Sequence, residues 1–153
     1  MGFFDGYNVS TSGMSAQRTR INVVSANIAN AKTTHTQEGG PYKKQQVVFE
    51  DVLLNQTKKI GSNDIETTNN KNTAPELRGV GVKAILDSES KPVLRFEPTH
   101  PDANEEGYVA YPDINPVIEM VDLIEAMRSY EANVASFNTH KNIDSKTLDI
   151  LKV

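Results

Sequence analysis

The sequence has no cysteine and no tryptophan, and aromatic residues fill only 7% of its 153 positions. Without cysteine there is no disulfide, no thiolate nucleophile and no sulfur-ligated zinc site. With so few aromatics, a chain of this length has material for one modest core, better filled if partners share it. No apolar run reaches the roughly 18–20 residues that cross a bilayer, so direct membrane insertion is not expected. The opening Met1-Gly2-Phe3-Phe4-Asp5-Gly6 has no basic n-region and no long apolar stretch, so a cleaved secretory signal is not expected either. Gly6 also stands where a myristoylation start wants Ser or Thr. Basic residues never cluster beyond the pairs Lys43-Lys44 and Lys58-Lys59, so nucleic acid is not an expected partner.

Catalytic and metal-binding patterns are missing too. His35, His100 and His140 lie far apart, and none has H-x-x-x-H spacing; His35 has Glu38 three residues on, but one such pair is no metal site. There is no G-x-S-x-G and no phosphate-binding P-loop. One near-match is Asp102-Ala103-Asn104-Glu105-Glu106-Gly107, which has the outline of the first half of a calcium loop, with Asp113 in the twelfth place. Glu106 and Asp113 are the wrong residues for their places, and Pro98 and Pro101 occupy the incoming helix. It reads as an acidic turn; a calcium-responsive helical binding module is the alternative it leaves. No catalytic residue, metal ligand or cofactor is expected.

What the sequence has is helical periodicity at both ends. From about Ser10 to Ala31, Met14, Ile21 and Ile28 recur every seven residues, with Val24 and Ala31 between them and Gln17 as the exception. Thr11 or Ser12 fits a cap at the start; because Gly13 is unfavourable inside a helix, a capped break at Gly13 is the alternative. The outer face is small or amide-bearing, and only Arg18 and Arg20 carry charge, so neighbours could bury it without stripping water from many ions. A helix that frays in the free chain fits the same pattern. At the other end, Asn115-Pro116 predicts a capped helix start. From there Leu123, Met127, Tyr130, Val134 and Phe137 step by four and three, pass through Lys141 and Asp144, and resume at Leu148 and Leu151. Val117, Met120, Val121 and Ile124 widen the apolar stripe at its start. No Gly or Pro interrupts residues 117–153, a helix of roughly 55 Å. Such a helix needs the N-terminal helix, neighbouring copies or both to cover its seam.

The middle reads as β. Gly39-Gly40-Pro41 breaks the first helix, and a strand follows within Tyr42–Leu54. Residues 55–76, rich in Asn, Thr and Lys, read as a mobile loop. Gly79–Leu86 reads as a strand with Val80, Val82, Ala84 and Leu86 on one face, and Val93, Leu94 and Phe96 as another between Pro92 and Pro98. Charge is uneven: residues 1–60 carry seven Lys/Arg against four Asp/Glu, and residues 61–153 nine against sixteen. Opposite signs suit contact between the halves, within one subunit or between subunits; two separately solvated faces account for them as well.

Two stretches resemble a known family. Ser25-Ala-Asn27-Ile28-Ala-Asn30-Ala-Lys-Thr33 resembles the SxNIANxxT signature of flagellar rod and hook proteins, and Glu119 to Asn133 resembles their terminal helix. In the middle, Pro41-Tyr42-Lys-Lys-Gln-Gln-Val-Val-Phe49 and Phe96-Glu-Pro-Thr-His-Pro-Asp-Ala-Asn-Glu-Glu-Gly-Tyr-Val109 are similar to the proximal-rod subunits, as is the short length. The resemblance implies an α+β fold, with N- and C-terminal helices pairing as a coiled-coil-like bundle around a small β-rich middle domain. The segments would be 1–35, 36–114 with the loop 55–76, and 115–153. It implies a structural subunit of the bacterial flagellar rod, not an enzyme, that helps form the drive shaft and the wall of the export channel. The implied partners are other copies, other rod proteins, basal-body adaptor and ring proteins, and the flagellar type III export apparatus. The expected helix-packing and assembly residues are Met14, Ile21, Val24, Asn27, Ile28 and Asn30 at one end. At the other they are Leu123, Met127, Tyr130, Asn133, Val134, Phe137, Leu148 and Leu151.

Overall fold

The structure, a computed structural model, describes residues 4–54 and 77–151. Its elements are α1 (Asp5–Ala29), β1 (Gln45–Leu53), β2 (Arg78–Asp87), β3 (Val93–Phe96), β4 (Tyr108–Tyr111) and α2 (Pro116–Leu151). The two helices pack against each other, and two separate two-stranded antiparallel sheets fill the middle. The fold is therefore α+β with paired terminal helices, as the sequence suggests. The stretch 55–76, read as a mobile loop, lies outside the described residues.

Helix α2 starts where the Asn115-Pro116 signal puts it. The Asn115 side-chain oxygen accepts from the Val117 amide at 3.0 Å, and its carbonyl accepts from Glu119 N at 3.1 Å. Pro116 lacks the amide hydrogen that a first helical turn would leave unused. Helix α1 departs from expectation at its start. It begins at Asp5, not at a cap on Thr11 or Ser12, and Gly13 lies in its interior. The Ser12 hydroxyl is engaged sideways: it donates to Val9 O at 2.7 Å and accepts from Val80 N at 3.2 Å, tying α1 to β2. Asn30 ends the helix, with its backbone N–H and its side-chain amide both donating to Ala26 O, at 3.0 and 2.9 Å. The chain then turns back through Gly39 and Gly40, both at positive φ (87° and 80°), to reach β1.

Strands β1 and β2 run in register from Gln45↔Asp87 to Leu53↔Arg78, with a shift between Val48↔Ala84 and Phe49↔Val82 that leaves Lys83 as the extra residue. This bulge and the buried Gly79 change the expected face: Val80 and Leu86 are exposed. Strands β3 and β4 pair from Val93↔Tyr111 to Phe96↔Tyr108. Val109 on this hairpin is fully buried, while Leu94 and Phe96 point outward. Among the described residues the buried apolar side chains are Ala16, Val23, Val24, Val109 and Ala126. That is a thin core, of small and medium side chains. No described helix is long and apolar enough to cross a membrane.

Candidate functional site

The helices run antiparallel, and their facing residues can be paired off. The ring of His140 lies at Gly6, Ser10 Oγ donates to Ser136 Oγ at 3.4 Å, and Asn133 abuts Gly13. A Cβ built on Gly6 would stand 2.7 Å from the His140 ring, and one on Gly13 2.7 Å from Asn133 Oδ1. Glycine at these two places lets the axes approach closely. At one end of the seam, Tyr7 meets Phe137 edge-on with ring centroids 5.0 Å apart, and its hydroxyl donates to Asp144 at 2.6 Å. That bond raises the Tyr7 phenol above its ordinary value of 10.0, with burial and the Asp144 charge adding to it. Asp144, which interrupts the apolar frame in the sequence, is thus a partner within the seam.

At the other end lies a buried polar junction. Asn27 and Glu119 are each 1% exposed. The Asn27 amide donates to Glu119 Oε2 at 3.1 Å and to Gln45 O at 2.8 Å. Its oxygen accepts from Gln45 N at 2.9 Å and from the Tyr42 hydroxyl at 3.1 Å. Lys44 Nζ stands 2.6 Å from Glu119 Oε1. Glu119 is also in the first turn of α2, where a carboxylate faces the positive end of the helix dipole. One amide therefore binds α1, the entry to β1 and α2 together. Burial raises the Tyr42 phenol above 10.0, helped by the charges of Asp87 and Glu119. An open groove of about 320 Å³ adjoins the junction, lined by Val23, Val24, Val47 and Phe49 and by the pair Arg20–Asp122 at 3.9 Å. Its two carboxylates, Glu119 and Asp122, each stand beside a cation, Lys44 and Arg20.

The signature stretch divides its work. Asn27 makes the junction, Asn30 ends α1, and Thr33 Oγ1 donates to Asn30 Oδ1 at 3.1 Å, holding the turn that follows. Val24 is buried beside Asn27, while Met14, Ile21 and Ile28 are half-buried. On α2, Leu123, Tyr130, Asn133, Val134 and Phe137 are half-buried, whereas Met127, Leu148 and Leu151 are exposed. The seam within the subunit is therefore displaced from the frame the large apolar residues suggest. It follows Glu119, Leu123, Ala126, Tyr130, Asn133, Phe137, His140 and Asp144. Glu119 and Ala126 are its most buried members, and spacing by size and apolarity passes over both. Ser10, Ala16 and Lys44 escape the sequence for the same reason, Tyr7 because it precedes the expected start of α1, and Val23 because it lies off the heptad frame; for Glu119 the available signal is that it continues the four–three step backwards from Leu123.

Away from the seam, Val117, Met120, Val121 and Ile124 form an uncovered apolar stripe, each 50–68% exposed. Among the described residues, no group of three or more His, Asp or Glu is placed to hold a metal ion. In the acidic turn, Asn104 Oδ1 accepts from Glu106 N and Tyr108 N and so serves the turn itself, while Asp102 accepts from Thr34 Oγ1 at 2.7 Å and ties the turn to the segment after α1.

Comparison with known proteins agrees with this geometry at both ends. Residues 8–34 match the family described as flagella basal body rod protein, and residues 105–150 match the flagellar basal body rod FlgEFG protein C-terminal family. The chain is 39% identical to the flagellar basal-body rod protein FlgC of Borreliella burgdorferi, over 99% of each chain. It is 39% identical to that of Bacillus subtilis, over 97% of this chain and 98% of the relative. With FlgC of Salmonella typhimurium the identity is 32%, over 98% of each.

Proposed function

This chain belongs to the FlgC family of flagellar basal-body rod proteins, and from that premise we propose that it builds the proximal rod through its two terminal helices. It is a structural subunit of the rod and not an enzyme, and nothing found favours the calcium-binding alternative. In this reading α1 and α2 line the inner wall of the shaft, the β-rich segment faces outward, and torque passes through contacts between helical faces. The segments 1–35, 36–114 and 115–153 are the working units. The partners are other copies and other rod proteins; the adaptor and ring proteins and the type III export apparatus complete the set. A core as thin as this one opens readily for passage through a narrow channel.

The observation that carries the reading is the stripe of Val117, Met120, Val121 and Ile124. The seam with α1 leaves it bare, and four adjacent aliphatic side chains on one helical face are a surface made to be covered. Leu148 and Leu151 add a second bare site at the far end of α2, and Met127 extends the first. Replacing Val121 and Ile124 together by Asp tests this. At low protein concentration, where the subunit is unassociated, the variant should keep its helix content and thermal midpoint, because neither side chain supports the intramolecular seam. A strain carrying it as its sole copy should lose rod assembly and swimming. Swimming at the normal rate would overturn the assignment of this face to assembly.

A further inference from the structure

The helix seam accepts more than one alignment. Gly6 and Gly13 are seven residues apart on α1, as are Glu119, Ala126, Asn133 and His140 on α2. Sliding one helix by seven residues, roughly 10 Å along the axis, therefore sets like against like. In one direction Gly13 would lie under His140, as Gly6 does now, and Ser10 would meet Ile143. In the other, Gly6 would meet Asn133, Gly13 would meet Ala126, Ser10 would meet Ser129, and Arg20 would reach Glu119 as a substitute cation. The large side chains of the α2 seam, Leu123, Tyr130 and Phe137, are themselves seven residues apart, so such a slip sets one large side chain in the place of another. The far end discriminates weakly, since Tyr7 and Asp144 are only partly buried.

The opposite end is different, because its groups do not repeat. We propose that the Asn27–Glu119–Lys44 junction sets the register of α1 against α2, selecting one alignment from several that the small-residue seam tolerates. The Asn27 amide is fully used, with both sides of its hydrogen-bonding capacity spent on Gln45, Tyr42 and Glu119. Only the observed alignment places Glu119 against Asn27 and beneath Lys44 at 2.6 Å. A slip of α2 against α1 leaves Asn27 bound to Gln45 and Tyr42 but takes Glu119 away, so one buried Asn27 amide hydrogen loses its acceptor and Lys44 its carboxylate, a penalty in a buried site. A buried ion pair adds little to stability compared with apolar replacements, yet a buried polar contact between helices fixes their register. The stripe on α2 then stands at one fixed height beside β1. That consequence for the rod rests on the proposed assembly, whereas the register of the isolated subunit does not.

Because the chain has no cysteine, engineered pairs report the alignment cleanly. Ser10→Cys with Ser136→Cys reports the observed register; Ser10→Cys with Ser129→Cys, or with Ile143→Cys, reports the two slips. Each pair is placed in the full chain, in the otherwise natural sequence and with Lys44→Met plus Glu119→Leu, and oxidised at low concentration. Helix content is followed by circular dichroism. In the natural background only the Ser10–Ser136 pair should close. In the double variant, helix content should persist while the ratio of slipped to native cross-link rises about tenfold or more, as for loss of a register-setting polar contact. Glu119→Gln, which keeps the Asn27 hydrogen bond, should restore the native cross-link. If the double variant loses its helices, Lys44→Met alone carries the same comparison. A folded variant that still closes only the native pair overturns the proposal. So does loss of helix in both variants, which would make the junction a stability element alone. Loss of swimming in the stripe variant with its native cross-link intact would separate register from assembly.

Discussion

At the scale of single residues, Asn27 shows how a short amide outperforms a larger apolar side chain at a crowded junction. It reaches three segments with one planar group, and the Tyr42 hydroxyl caps it from outside. Burial holds the Tyr42 phenol above its ordinary 10.0, before the nearby charges of Asp87 and Glu119 add their effect. The sign follows directly. Folding favours the neutral phenol, so its contribution is complete below pH 10 and is lost as pH rises through the higher folded value. A spectrophotometric titration should find Tyr42 ionising later than a free phenol, with unfolding in alkali releasing it. Tyr42→Phe should remove one phenol's share of the late ionisation, which Tyr7 and Tyr111 also contribute to, and lower stability at neutral pH by about 1 kcal/mol, the worth of one hydrogen bond. If the amplitude lost in Tyr42→Phe falls in the ordinary phenol range instead, the phenol is not held back.

At the scale of elements, the two helices are matched by smallness. Gly13 is a poor helix former, and alanine there gains about 1 kcal/mol of propensity. The new Cβ, however, would stand 2.7 Å from Asn133 Oδ1, whose amide is anchored to Ser129 O at 2.8 Å. The two effects nearly cancel, so Gly13→Ala should change stability little. Gly13→Val should lower it by about 2 kcal/mol or more, measured by chemical denaturation, because a branched side chain must push the helices apart. Equal stability of the two variants would mean that the approach at Gly13 is looser than it looks. The same smallness explains what was legible in the sequence. The first three strands, the Asn115-Pro116 start and the pairing of the termini follow from turn chemistry and apolar period, and β1, β2 and β3 stand where those signals put them; β4, the four residues Tyr108–Tyr111 after the acidic turn, is too short to show a period of its own. The seam did not, because it is written in Gly, Ser, Ala, Asn and one buried Glu. Size and hydropathy rank these residues as surface, so Met127, Leu148 and Leu151 stood out while Glu119 and Ala126 did not. The first turn of α1 was hidden for a related reason: Gly13 looks like a helix boundary until Asn133 is seen against it.

At the scale of the whole molecule, exposed apolar surface outweighs the apolar core. Among the described residues, five buried apolar side chains stand against bare faces on α2, on the β3–β4 hairpin and along β2. Such a subunit gains stability from company. Its thermal midpoint should rise with protein concentration, because association through these faces stabilises the folded form by mass action. The variant with Val121 and Ile124 replaced by Asp should show a weaker rise, read from the same concentration series. Identical slopes would place the self-association elsewhere.

The helices also differ in length, 25 residues in α1 against 36 in α2. The last turns of α2 run on past the start of α1, so among the described residues one end of the pair is a single helix and the other a sealed polar knot. A body with unlike ends has a direction. Copies repeated by translation along that axis present one kind of end upward and the other downward, so the column inherits an arrow from each of its members. Its growing tip and its base are then chemically distinct surfaces, and an arriving subunit that is upside down finds nothing to match.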